Sequence, residues 1–232
     1  MKILILLAYY NRPKMVRNAL NSIKESIYTN WELAIIDDGS EFQAKPVVLE
    51  LFNNEELSKT KYYNTNDTIE NKQQRGSISG EYINIAISES NADLVIILCD
   101  DDALVPDYLG NLAFHFTENP SMNYCYSHVI QFNPLIEDYH NKQVSDIFMN
   151  KTWDLNPSNN VDASQVCWKR EFSTGEDAIL FPSPQTKNLD ATIFQSLFNK
   201  LGPCKFTGFY SQYKGMHEHQ LGVVGEGNHV ID

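Results

Sequence analysis

Three short stretches of the chain are apolar without interruption, and each stops at a polar or acidic cluster. Ile3 to Ala8 runs into Tyr9-Tyr10-Asn11-Arg12-Pro13, Trp31 to Ile36 into Asp37-Asp38-Gly39-Ser40, and Leu94 to Cys99 into Asp100-Asp101-Asp102. A strand that is apolar throughout, rather than at every second residue, needs cover on both faces. The cover lies between the runs. Pro13 sits where a helix can begin, and Val16, Ala19, Leu20, Ile23 and Ile27 follow at helical spacing. Lys59 to Asn64 reads as a short third strand, and Ser77 or Ser79 can cap a helix running to about Ser88. Pro106 opens a helix with Leu109, Leu112, Ala113 and Phe116 on one face, and Tyr124 to Phe132 is a further strand. This alternation predicts an α/β fold with a mostly parallel sheet wrapped by helices. In such sheets the ligand lies beyond the carboxyl ends of the strands. The three polar clusters are therefore expected on one rim, although 62 residues separate Asp38 from Asp100.

Past residue 133 the pattern weakens. Asp154 to Ser164 reads as a loop, Val161 to Phe172 as a strand, and Asp190 to Leu201 as a helix with Ile193, Leu197 and Phe198 on one face and Gly202 as its stop. From Gly215 onward, Gly and His without periodicity suggest a mobile loop. No repeat or low-complexity linker divides the chain, so one domain over residues 1–232 is expected.

Composition removes several classes. A formal charge of −12 with no basic block argues against nucleic-acid binding. The longest apolar runs fall far short of the roughly 20 residues that span a bilayer. The N-terminal run reads as a buried strand rather than a signal peptide, which points to a cytoplasmic protein, with peripheral contact to a membrane left open. Cys99, Cys125, Cys167 and Cys204 are scattered without zinc spacing and read as reduced, mostly buried thiols.

The acidic triplet is the sharpest chemical feature. Three adjacent carboxylates at the end of a buried strand repel one another unless a cation sits between them, and hard oxygen ligands suit Mg2+ or Mn2+. A solvated turn in which Asp102 caps the following helix is the plainer alternative. Asp37-Asp38-Gly39-Ser40 reads either as a tight turn or as a nucleotide pocket in which a carboxylate accepts from a base or ribose. Tyr9 or Tyr10, one strand over, can stack on the base. GxxxxGK[ST], GxGxxG and GxSxG are all absent, which disfavours a P-loop enzyme, a dinucleotide fold and a nucleophile-elbow hydrolase.

Taken in order, Tyr-Tyr-Asn-Arg-Pro, Ile-Ile-Asp-Asp-Gly-Ser and Leu-Cys-Asp-Asp-Asp-Ala-Leu-Val-Pro-Asp resemble the family 2 glycosyltransferases of the GT-A fold. The blocks cover about the first 110 residues. The second half is similar more loosely, through Trp153, Pro157, Val161-Asp162 and Trp168-Lys169-Arg170, to the bacterial spore-coat type of the family. The resemblance implies a nucleotide-sugar-binding half at 1–132 and an acceptor-binding, closing half at 133–232. It implies a nucleotide-sugar donor, often UDP-linked, a carbohydrate or glycoconjugate acceptor, Mn2+ or Mg2+, and inversion at the anomeric carbon. By the same resemblance Tyr9, with Asn11 beside it, and Asp38 border the uracil, and Arg75 lies near base or phosphates. Asp100 contacts the ribose, and Asp101 or Asp102 holds the metal. Inversion needs a general base for the acceptor hydroxyl. Asp190 at the start of its helix fits that place, although it also suits an N-terminal cap, and Glu176-Asp177 is the rival. Lys214 can neutralise phosphate charge, and His217 or His219 can contact the metal or the diphosphate. A nucleotidyltransferase acting on a sugar phosphate and a non-catalytic sugar-nucleotide-binding module remain as alternatives.

Overall fold

The computed structural model describes residues 1–132, 152–184 and 189–215. The first half alternates as the sequence predicts. Strand β1 (Ile3–Tyr9), helix α1 (Val16–Lys24), β2 (Trp31–Asp37), α2 (Lys45–Leu51), α3 (Asn54–Ser58) and β3 (Thr60–Asn64) come first. Then follow α4 (Ile69–Arg75), α5 (Ser79–Glu89), β4 (Leu94–Cys99), β5 (Ala103–Leu104), α6 (Tyr108–Glu118) and β6 (Tyr124–Phe132). Strand β7 (Val166–Lys169), α7 (Leu189–Leu201) and β8 (Lys205–Gly215) complete the described elements.

All eight strands form one sheet, in the order β3-β2-β1-β4-β7-β6-β8-β5. β1 pairs in parallel with β2 on one side and β4 on the other, and β2 pairs in parallel with β3. β7 runs antiparallel to both β4 and β6, β6 and β8 are parallel, and β5 closes the order antiparallel to β8. In register, Tyr9 lies opposite Asp37 and Ala8 opposite Cys99, so the ends of the three central strands are level.

The apolar runs divide by parity, because successive side chains of a strand point to opposite faces. Ile3, Ile5 and Leu7 join Leu33, Ile35, Leu94, Ile96 and Leu98 in one buried layer beneath α1 and α6. Leu4 and Leu6 join Ala34, Ile36, Val95 and Ile97 in a second layer, covered by Ile83, Ala86 and Ile87 of α5 and Ile193, Phe194 and Leu197 of α7. Each fully buried Leu or Ile of these layers contributes roughly 1.5–3 kcal/mol relative to exposure. Burial on both sides is therefore what makes the runs continuous.

Local differences from the sequence reading have local causes. Helix α1 stops at Lys24, and Ile27, expected on its buried face, lies beyond the stop and is 77 % exposed. Its N–H is held instead by the carbonyl of Pro106. The strand expected over Val161 to Phe172 is only the four residues of β7, flanked by 3-10 turns at Ala163–Gln165 and Arg170–Ser173. Asp162 starts the first turn by accepting from Ser164 N–H and, through Gln165, forming a capping box. Strand β8 carries no clean alternation. Gly208 at φ 82 falls at a shift in its register against β6, and the polar residues Ser211, Gln212 and Lys214 lie in its buried half.

Candidate active site

The two tyrosines that end β1 part company. Tyr9 is 2 % exposed, sits in the first core layer, and donates its hydroxyl to the carbonyl of Phe42. The half-buried ring at the rim is that of Tyr10, with the Lys72 ammonium 4.0 Å from its centroid. Asn11 adopts φ 53, a left-handed conformation that asparagine tolerates. Its N–H donates to Ser40 Oγ at 3.0 Å and its Oδ1 accepts from Phe42 N–H at 3.0 Å, so it ties the first loop to the second.

In the second loop the two aspartates also differ. Asp37 is fully buried and structural: it accepts from Ser40 N–H at 2.9 Å and from the Tyr62 hydroxyl. Asp38 faces the rim. It accepts from Ser77 Oγ at 3.0 Å, Thr65 Oγ1 at 3.4 Å and Lys72 Nζ at 3.3 Å. Burial pushes its carboxyl up, against the opposing pull of Lys72 and Ser77. Gly39, at φ 70, has no room for a side chain, since a Cβ there would lie 2.0 Å from the carbonyl oxygen of Asp67. Asp67 in turn holds Arg75, Nη2 to Oδ1 at 2.8 Å. The expected Arg75 thus stands beside Asp38 through Asp67, with its side chain 40 % exposed.

The third loop gathers charge from across the chain. Asp100 accepts from the backbone N–H of Tyr10 at 2.9 Å and from Arg12 Nη1 at 3.0 Å, and Arg12 also reaches Asp101 at 3.4 Å. Burial, reinforced by the Asp101 carboxylate, pushes the Asp100 carboxyl up to about 7. Asp102 does not cap α6, whose N-terminal cap is Asp107. It turns toward β8, accepting from Gly215 N–H at 2.9 Å, Gln212 Nε2 at 3.3 Å and Lys214 Nζ at 3.3 Å. The Lys214 ammonium bridges two carboxylates, with Asp162 Oδ2 at 3.2 Å on its other side. Burial alone would pull its ammonium down, but Asp102, Cys99 and Asp162 outweigh that and hold it charged.

The Sγ of Cys99 and a carboxylate oxygen each of Asp101 and Asp102 lie within 4.8 Å of one another. The two carboxylate oxygens at that separation suit Mg2+ or Mn2+, so the aspartates fit such an ion, while the soft Cys99 thiol, which burial keeps protonated, only borders them.

Asp190 lies in the first turn of α7, half-buried, where the neighbouring Ala191 carbonyl accepts from Ser158 Oγ at 2.9 Å. Glu176 and Asp177 are exposed in the turn before it, and the Asp177 carbonyl accepts from Lys200 Nζ. His217 and His219 lie outside the described residues. Arg12, Lys72 and Gln212 join the site without having been named as site residues from the sequence, and Asp162, seen there only within a looser motif, joins as the second partner of Lys214. For Arg12 the signal was present, inside the Tyr-Tyr-Asn-Arg-Pro block. Lys72 and Gln212 sit in stretches with no motif.

Comparison with known proteins bears on the family and the fold. Glycosyl transferase family 2 matches residues 4–175, well over half of the chain. Protein CgeD of Bacillus subtilis (strain 168) is 25 % identical over 126 residues, covering 54 % of this chain and 29 % of CgeD. S. aureus TarS 1-349 in complex with UDP-GlcNAc superposes with a TM-score of 0.71 at 16 % identity, over 95 % of this chain and 60 % of that one. The mannosyltransferase PcManGT from Pyrobaculum calidifontis in complex with GDP-Man and Mn2+ gives 0.59 at 17 % identity, over 90 % and 56 %. The Mycobacterium tuberculosis glucosyl-3-phosphoglycerate synthase with Mn2+, UDP and glucosyl-3-phosphoglycerate gives 0.57 at 13 % identity, over 95 % and 75 %. The chain spans under a third of CgeD and about three fifths of that TarS chain, and at these identities the solved structures speak for the GT-A fold. With its family match, its sheet and its rim taken together, the chain belongs to glycosyl transferase family 2.

Proposed function

We propose that this chain is an inverting glycosyltransferase that moves a sugar from a nucleotide-diphosphate donor, UDP-linked, to a hydroxyl of a glycan or glycoconjugate acceptor. The observation that carries the reading is the level ending of β1, β2 and β4, which sets Tyr10, Asp38 and the Asp100 to Asp102 triplet along one rim. The similar structures support it: those proteins were crystallised with UDP-GlcNAc, with GDP-Man and Mn2+, or with UDP and Mn2+. In this reading Tyr10 offers the base a ring, and Asp38 accepts from a base N–H once Lys72 turns toward the phosphates. Arg75 borders the same pocket, and Asn11 holds its two loops together. Tyr9 supports the pocket from beneath. Asp100 accepts from ribose hydroxyls and is kept in place by Arg12.

Asp101 and Asp102 would hold Mn2+ or Mg2+, with His217 or His219 as further candidates. When bound, such an ion supplies positive charge that offsets the charge growing on the diphosphate leaving group. Lys214, already charged and buried among Asp102 and Asp162, adds to that positive field. Asp190, at the mouth of α7, takes the proton of the attacking acceptor hydroxyl. Among the described residues no helix is long and apolar enough to cross a membrane.

The test is calorimetry with UDP-sugars, with and without Mn2+, followed by donor-hydrolysis and transfer assays. Asp190→Ala should bind donor as the native chain does and lose transfer. Full transfer by that variant would overturn the base assignment. Pyrophosphate release from a nucleoside triphosphate would point to a nucleotidyltransferase, and binding with neither hydrolysis nor transfer to a binding module.

A further inference from the structure

Gln212 is an anomaly beside the acidic triplet. It is 0 % exposed, yet its Oε1 has no hydrogen-bond partner. A buried amide oxygen left unpaired costs about 1–3 kcal/mol, so an orphan of this kind calls for an explanation. Its amide end is fixed at the triplet, because its Nε2 donates to Asp102 Oδ2 at 3.3 Å. The orphan oxygen belongs to the same amide group, next to Asp102 of the cluster formed by Cys99, Asp101 and Asp102, whose ligand atoms lie within 4.8 Å of one another, and a turn of the amide is enough to present it there. Four carboxylates gather there, Asp100, Asp101, Asp102 and Asp162, against the two side-chain cations Arg12 and Lys214, so further positive charge beside the unsatisfied carbonyl oxygen is favoured.

We infer that Gln212 Oε1 is a neutral oxygen ligand of the divalent cation that the carboxylates hold, supplied by β8 to a site otherwise built on the end of β4. The inference rests on the metal reading above and adds a ligand to it. Residue period favours it: Gln212 and Lys214 lie two apart on β8 and both reach Asp102, while Tyr213 between them points into a small apolar cluster with Ala103 and Ile130. The resident ammonium does not block the ion. Lys214 already contacts Asp162 at 3.2 Å as well as Asp102 at 3.3 Å, so it keeps an anionic partner when Asp102 turns to the metal. Amide and carboxylate oxygens suit Mg2+ and Mn2+ alike.

The experiment is a Mn2+ titration of the full chain with saturating UDP, followed by the electron paramagnetic resonance signal of free Mn2+. The native chain, Gln212→Leu, Gln212→Glu and Asp101→Ala are compared, each first shown to be folded by its thermal transition without metal. Gln212→Leu should weaken Mn2+ binding by roughly 10- to 100-fold, the range seen when groups around a metal are removed. Gln212→Glu separates ligand from scaffold. It keeps an oxygen and loses the Nε2 donor to Asp102, so a ligand role predicts binding as tight as native or tighter, and a purely structural role predicts a loss like that of Gln212→Leu. If Gln212→Leu does not fold, Gln212→Glu alone decides. Native affinity in Gln212→Leu, or a loss in Gln212→Glu, overturns the inference while leaving the metal reading intact. Absence of Mn2+ binding by the native chain, or indifference to Asp101→Ala, overturns the metal reading and this inference with it.

Discussion

Gly39 offers a sharp test of how the donor pocket is built, because the chain carries its own control. Gly39 and Gly175 both have positive φ, 70 and 84. An alanine at either must enter the left-handed region, at a cost of about 1–2 kcal/mol. They differ in space. A Cβ at Gly175 meets nothing within 4 Å, whereas one at Gly39 would lie 2.0 Å from the Asp67 carbonyl oxygen and 2.8 Å from its nitrogen. Those are backbone atoms and cannot rotate aside, so the loop after β3 must move. Forced overpacking of this kind adds about 1–3 kcal/mol. Gly175→Ala should therefore lose about 1–2 kcal/mol and Gly39→Ala about 2–5 kcal/mol in urea unfolding. The two should also separate in function. Displacing Asp67 moves the Arg75 it holds at 2.8 Å away from Asp38. Gly39→Ala should then weaken UDP binding by calorimetry, and Gly175→Ala should not. Equal stability losses, or unchanged UDP affinity in Gly39→Ala, would refute the claim that the second loop is braced on Asp67.

Two further outcomes follow from the charges. Lys214→Met leaves the fully buried Asp102 without its ammonium partner and should cost about 3–5 kcal/mol at pH 8 in urea unfolding. The loss should shrink toward pH 5, where Asp102 can take up a proton, and Asp102→Asn combined with Lys214→Met should recover much of it. The Asp100 carboxyl, raised to about 7, binds a proton in the folded chain that the unfolded chain has released. Its contribution to stability is thus present below about pH 4 and is lost as pH rises toward 7. In metal-free buffer Asp100→Asn should remove that part of the slope, seen as a smaller shift in urea midpoint between pH 5 and pH 8 than in the native chain.

Periodicity was enough to place the first half of the fold. Ile3 to Ala8, Trp31 to Ile36 and Leu94 to Cys99 became β1, β2 and β4, and Tyr124 to Phe132 became β6 residue for residue. Helices α2, α3 and α4 were not legible, being short and, in α3 and α4, without a buried residue. Strand β8 was hidden for a different reason: its Gly208 kink and the polar residues of its buried half erase alternation, and it is a strand because β6 pairs with it. Within the site, Asp38, Arg75, Asp100, Asp101 and Asp102 stood out in the sequence. Their partners Lys72 and Gln212 did not, because neither belongs to a motif or a periodic pattern, while Arg12 was visible only as part of the first block.

Taken alone, then, the sequence determined that a buried parallel sheet exists and that its acidic and tyrosine-bearing ends share one rim. That much follows from local patterning, since an apolar run needs cover and a parallel connection returns each strand to the same edge. Only the tertiary structure decided what each rim side chain meets. It sank Tyr9 into the core and left Tyr10 at the surface. It also turned Asp102 away from α6 toward Gln212 and Lys214 of β8, 110 and 112 residues along the chain. Ion pairs and hydrogen bonds of that kind depend on which strand ends up beside which, and no periodicity within a single segment encodes that pairing.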